Sequence, residues 1–258
     1  MNIRSGRAEA SAFRGNGLLP PQDTINITFR CPPEWEDILP KPVAGRDALP
    51  DWLKAMPATA FSGALDLNVR TVKQCPPFID AMGGGWVMPL LCDVTVGAGL
   101  TFEWDWDLPP ATLDRLTRSP ISTHVSAQIQ GAPFAEPGLS AIKFNNAWTI
   151  EVPDGWSVLV THPANRDDLP FRTLSGLVDC DAFSHGFVHF PALWTDPDWT
   201  GTLTAGTPVA QIWPVPRGST AAFETLTGDR AAKVEETLDL IGDERGGYRK
   251  NFRARPDG

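Results

Sequence analysis

The sequence predicts a mainly β protein: a distorted antiparallel barrel or sandwich over residues 25–217, with short N-terminal helices and one C-terminal helix. Three observations lead there. Short β-type apolar runs recur through the chain, as in sandwiches and folded barrels. Turn signals separate them at Pro153–Gly155, Pro163–Asp168, Asp196–Trp199 and Thr204–Gly206. Only one longer stretch, 229–241, carries a helical period, with Val234, Leu238 and Ile241 on one face and Gly242 at the C-cap position.

Taken in order, residues 1–24 read as a polar, mobile arm, and Ile27–Arg30 as a first strand. Pro50–Met56 reads as a short helix, with proline at its start and Pro57 ending it. Pro76–Met82 reads as a second, stopped by Gly83–Gly85. Residues 86–96 read as one strand with a proline interruption. After a turn at 97–99, residues 100–108 alternate strictly. Phe102, Trp104 and Trp106 fall on one face, and Glu103, Asp105 and Asp107 on the other. Further strands are expected at 123–130, 147–152, 156–161, 173–179, 186–193 and 208–215. Residues 25–242 therefore read as one β-rich domain and 243–258 as a charged tail.

The net charge of −9 argues against a nucleic-acid binder that neutralises phosphates, and against an anionic membrane surface. The N-terminus lacks the apolar core of a signal peptide, and no apolar run is long enough to span a bilayer, so a cytoplasmic location is expected. Cys31, Cys75, Cys92 and Cys180 form no CxxC pair and match no zinc spacing, so reduced, mostly buried thiols are expected. No P-loop, GxGxxG, GxSxG or HExxH motif is present.

Residues 156–216 hold three of the four histidines together with the densest set of polar residues. In Thr161–Asp168, Arg166 suits bidentate capture of a carboxylate or phosphate, Asn165 lies in the turn, and His162 suits acid, base or ligand chemistry. The plainer alternative is a polar hairpin loop with a local Arg–Asp pair. In Val178–Phe190, Asp179 ends an apolar run where it could position water, and Asp181 follows. His185 and His189, four apart, with a carboxylate form a two-histidine-one-carboxylate ligand set. The alternative is a structural turn. The cofactor stays open, with a divalent metal (Mg, Fe or Zn) as candidate. Ten tryptophans are an excess. Trp194 and Trp213 suit a stacking platform for a flat ligand, or core filling. Gln211 sits on the closing strand, 208–215.

Two resemblances follow from these pieces. The order Ser175–Asp179, a Gly-bearing turn, a strand, then Ala205–Ile212 resembles the late motifs of the dUTPase and dCTP-deaminase family. The resemblance implies a distorted β-barrel and assigns the water-activating carboxylate to Asp179. It makes Phe183 the aromatic that stacks on the sugar and Arg166 the phosphate ligand. The chain departs from that pattern where Thr207–Pro208 replaces Asp-Arg and Pro163–Arg166 replaces Arg-Ser-Ser. Over about two thirds of its length the chain also looks like a family found in bacteria and their phages, carried by Pro50–Met56, Thr71–Met82, Gly83–Asp93, Val158–Asp181 and Gly206–Pro214. That likeness implies one continuous domain and supplies no activity.

Three functions remain open on the sequence. The first is an enzyme or binder of a small phosphorylated, nucleotide-like ligand, with Asp179 positioning water, Arg166 holding the anion and His162 moving a proton. The second is a metal-dependent enzyme using His185, His189 and Asp179 or Asp181. The third is a non-catalytic aromatic binding or structural module. The expected partners are a small-molecule ligand and, from an unpaired sheet edge, further copies of the chain.

Overall fold

The computed structural model describes residues 25–106, 108–113, 116–134, 140–243 and 246–253. The expected N-terminal arm, Asp107 of the alternating run and the end of the charged tail lie outside the described residues. The strands are β1 (Thr28–Arg30), β2 (Val43–Ala44), β3 (Thr59–Ser62), β4 (Leu67–Arg70), β5 (Trp86–Pro89), β6 (Val94–Gly97), β7 (Thr101–Glu103) and β8 (Ile121–Thr123). They continue with β9 (Ser140–Phe144), β10 (Thr149–Glu151), β11 (Trp156–Thr161), β12 (Phe171–Thr173), β13 (Gly176–Val178), β14 (Phe190–Trp194), β15 (Gly201–Leu203) and β16 (Pro208–Pro216). The helices are α1 (Asp51–Ala55), α2 (Pro76–Gly83), α3 (Asp229–Asp243) and α4 (Gly247–Asn251).

The fold is mainly β, as the short runs predict. Every strand pair is antiparallel. A five-stranded sheet, β13-β11-β16-β5-β2, and a four-stranded one, β12-β14-β9-β8, are joined by smaller sheets, and the described strands do not close into a barrel. Two expected strands are each broken in two, for one reason. Within 86–96, β5 belongs to the five-stranded sheet and β6 to the three-stranded sheet β15-β6-β7. Residues 173–179 take in the last residue of β12, Thr173, in the four-stranded sheet, and then all of β13 in the five-stranded one. Alternation records an extended chain, not which sheet it joins.

The run 100–108 is a three-residue strand, because pairing with β6 ends at Thr95–Glu103. Beyond it the Trp106 indole N–H donates to the Arg118 carbonyl at 2.8 Å, and Trp104 is 39% exposed. The expected strand at 123–130 is instead a 3-10 turn over Ser126–Ile129, where the Gln128 carboxamide oxygen accepts from the Val125 backbone N–H. The β3–β4 hairpin, β9, β15 and α4 carried no legible signal.

One hydrophobic cluster among the described residues runs from Trp35 through Met88, Ile142, Phe144, Val158 and Phe171 to Ile212. Trp194 sits fully inside it and meets Phe102, Trp199 and Phe171 with ring centroids 5.5, 5.7 and 6.2 Å away. Several tryptophans work in the same way. The ring fills the core while its N–H holds a loop carbonyl: Trp35 to Pro109, Trp148 to Pro40, Trp194 to Asp196. All four cysteines are free thiols. Burial, then nearby carboxylates, push Cys92 up to about 12 and Cys180 up to about 11.

Trp194→Ala should lower stability by about 3–5 kcal/mol, the range for truncating a buried large aromatic. Chemical denaturation of the purified variant checks it, and an unchanged midpoint would contradict a hub position for this ring.

Candidate functional site

Two polar constellations form at opposite ends of β11. At its start, Ser157, Asp179, Asp181 and Arg217 converge because β11 lies between β13 and β16. The Ser157 hydroxyl, fully buried, donates to Asp179 Oδ1 at 2.6 Å. Arg217, just past β16, reaches Asp179 Oδ1 at 3.3 Å and pairs through both terminal nitrogens with Asp181. Asp181 also accepts from the backbone N–H groups of Gly155 and Ala182. The Arg217 guanidinium, helped by those donors, holds the Asp181 carboxyl well below the usual carboxylate range. The Asp179 side chain is 62% exposed, so its other oxygen faces solvent.

At the far end of β11 lies the turn 162–168. His162 Nε2–H donates to the Arg166 carbonyl at 3.1 Å, and its Nδ1 accepts from the Thr173 backbone N–H at 3.2 Å. Both ring nitrogens are therefore used, the neutral Nε2–H tautomer is fixed, and burial pushes the imidazole below its ordinary value. Arg166 makes a two-pronged pair with Asp168, at 2.8 and 2.9 Å. Its side chain is only 12% exposed. This is the local Arg–Asp pair that the sequence left as the alternative. Burial works to raise the Asp168 carboxyl, and the Arg166 bonds and charge outweigh it, so the net shift is downward. Asn165 holds the left-handed turn position with φ of 57° and is exposed.

The other expected site residues are scattered. Gln211 is buried, and its side chain is internally bonded. Its oxygen accepts from the Ala164 N–H at 2.9 Å, and its nitrogen donates to the Ala81 and Gly84 carbonyls at 3.0 and 2.6 Å. Trp213 lies over Gly84, where an added Cβ would come 2.2 Å from its ring. Trp194 is in the core. Phe183 covers Gly186, where a Cβ would fall 2.1 Å from the ring. His189 Nδ1 accepts from the Asn146 N–H at 3.0 Å, and burial, then Lys143, lowers its pKa. His185 lines a different groove with Cys31 and Glu151. Among the described residues no three His, Cys, Asp or Glu side chains converge as a metal-ligand set.

Asp179 and His162 are separated by the length of β11. Ser157 to His162 spans five residues, roughly 17 Å at 3.3 Å per residue. The constellation expected to unite Asp179, Arg166 and His162 is thus not assembled in one place. Beside His162 the structure instead opens a cleft of about 470 Å³, walled by Phe134, Leu169 and Phe171, with Asp167, Arg172 and Thr195 on its lining. Arg172 takes the outward position of β12 between buried Phe171 and Thr173, and it has no ion-pair partner among the described residues. Sequence reading passed over it. Its signal was an arginine at the outward position of an alternating Phe-Arg-Thr run.

No family model matches the chain, and no curated protein matches it. Among solved structures it is weakly similar to the dUTPase from phage phi11 of S. aureus, a protein that coordinates a structural Mg(II) ion. That match has 9% identity and a TM-score of 0.30, and covers 56% of this chain and 84% of that one. It is similarly close to the dUTPase of Staphylococcus bacteriophage 80alpha, solved with dUpNHpp, at 9% identity and a TM-score of 0.31 over 56% and 77%. Among the described residues no helix is long and apolar enough to cross a membrane.

A lowered histidine pKa has a definite sign. Unfolded His162 and His189 titrate near pH 6.5, and the folded forms titrate lower. Their contribution is complete above that pH and is lost as the pH falls toward the folded values, because the unfolded chain then takes up protons that the folded one refuses. Unfolding free energy should therefore drop between pH 7.5 and 5.5. In His162→Gln the drop should shrink, with stability about 1–3 kcal/mol lower at pH 7.5 from the unpaired Thr173 N–H and Arg166 carbonyl. Denaturation curves at both pH values decide it, and identical pH slopes would count against the buried neutral imidazole.

Proposed function

We propose that the chain binds a small phosphorylated, nucleotide-like molecule in the cleft beside His162, with Arg172 holding the anionic group. The observation that carries this reading is the Arg172 guanidinium, unpaired among the described residues and set beside an aromatic wall. A guanidinium matches phosphate oxygens with two parallel N–H bonds. Phe134 and Leu169 offer an apolar surface to a flat ring, and the Thr195 hydroxyl can donate or accept. Asp167 accepts only, so it favours a ligand with an N–H edge and rejects a second anionic group next to it.

The anion-holding role expected for Arg166 passes to Arg172, since Arg166 already satisfies Asp168. His162 acts as a wall of the cleft whose ring is fixed by its two hydrogen bonds. Asp167 is the carboxylate that lines this cleft and could orient a water there. The water-activating role that the dUTPase resemblance gives Asp179 would need a ligand at the other end of β11.

Calorimetric titration with nucleoside monophosphates tests the reading. The parent chain should bind, and Arg172→Ala should bind about tenfold more weakly, the factor for losing about 1.4 kcal/mol. Asp179→Asn should keep the parental affinity. No heat with any nucleotide or sugar phosphate, or equal affinity in the Arg172 variant, would remove the proposal.

A further inference from the structure

We infer that a second cleft, between the end of β4, the start of α2 and helix α4, is a binding site for a compact polyanion of the pyrophosphate class. This goes beyond the cleft at Arg172 and does not depend on it. The space is about 380 Å³. Arg70 and Gln74 line it from one side, and Tyr248, Arg249 and Lys250 from α4. Among the described residues no carboxylate lines it, although Asp and Glu outnumber Lys and Arg by 31 to 22 in the chain. Arg70 and Arg249 have no ion-pair partner among the described residues.

The cations come from separate elements that the fold holds together. Arg70 closes β4, and its terminal nitrogens lie 3.6 Å from where a Gly246 Cβ would stand. Arg253 pairs with Asp80 of α2, Nε to Oδ2 at 3.1 Å, and keeps α4 against that helix. The Arg70 and Arg249 guanidinium groups on this lining repel each other unless an anion sits between them. Tyr248, the sole tyrosine of the sequence, adds a hydroxyl donor. Gln74 keeps one amide hydrogen on the Ala58 carbonyl at 2.9 Å and has a second to offer.

The charge balance sets the size of the ligand. A nucleic acid needs a track of cations along its backbone, and the chain's net charge of −9 would oppose it outside the cleft. A compact polyanion held in the cleft meets less of that repulsion, because charges more than a Debye length away are screened. Adjacent phosphoryl groups place several oxygens where two guanidinium groups and a phenol can each take one.

The test uses the full chain and inorganic pyrophosphate, titrated calorimetrically at an ionic strength fixed with sodium chloride. Saturable binding should appear and weaken about tenfold in Arg249→Gln, an exposed substitution on α4 that leaves the core untouched. Arg70→Gln should weaken it similarly, while Arg70→Lys should retain part of it. Arg172→Ala should leave pyrophosphate affinity at the parental value, which separates this site from the nucleotide cleft. The inference is overturned by the absence of saturable heat above the chloride background, by equal affinity in Arg249→Gln, or by a short oligodeoxynucleotide binding more tightly than pyrophosphate.

Discussion

The carboxamide of Gln211 is the point on which the rest of this architecture depends. It is buried on β16, and its three bonds tie together a sheet strand, the exit of α2 and the turn at Ala164. Burying an amide is tolerable only when its hydrogen bonds are made, so those three elements have little freedom to move apart. The close approach continues through the glycines beside α2. Gly85 has φ of +60°, and a side chain there would press on the Ile212 carbonyl at 2.3 Å. Trp213 then closes over the same segment. The position of the turn fixes Arg166, whose carbonyl fixes the ring of His162. That ring also receives the N–H of Thr173, next to Arg172. The cleft is thus shaped from behind by a buried amide that never reaches it.

The two ends of β11 show why nearness in sequence misleads about chemistry. Asp179, His162 and Arg166 are close along the chain, yet the strand between Ser157 and His162 holds them apart. Each end then satisfies its own charges: Arg217 with the two aspartates, Arg166 with Asp168. Among the described residues, what remains unpaired, and so available to a ligand, are arginines that lie in no recognisable motif.

The mainly β character, β11, β16 and α3 were legible because each has a strong local period and clear turn residues at its borders. The sheet assignments were not. Residues 173–179 keep an extended backbone while passing from β12 to β13, and local pattern carries no record of that change of partner. The strict alternation of 100–108 was a true amphipathic signal, but β6 offers it only three paired residues. The candidate site was legible in part. The turn at 162–168 lies beside the cleft, and the local ion pair was among the readings the sequence allowed. Gln211 and Trp194 were visible as unusual residues, but only three-dimensional packing separates a side chain that binds a ligand from one that binds its own backbone.

Two of the four thiols stand at opposite extremes of access and so time the molecule's opening. Cys75 is exposed between two residues that line the α4 cleft, Gln74 and Pro76, and meets a reagent in solution directly. Cys180 is fully buried, flanked by the two aspartates that Arg217 clamps, and its thiolate is suppressed both by burial and by those charges. Alkylation of Cys75 thus reports surface access, whereas alkylation of Cys180 waits for the β13 end of the sheet to detach. The chain carries an internal clock, in which the lag between the two reactions measures how often that edge lets go.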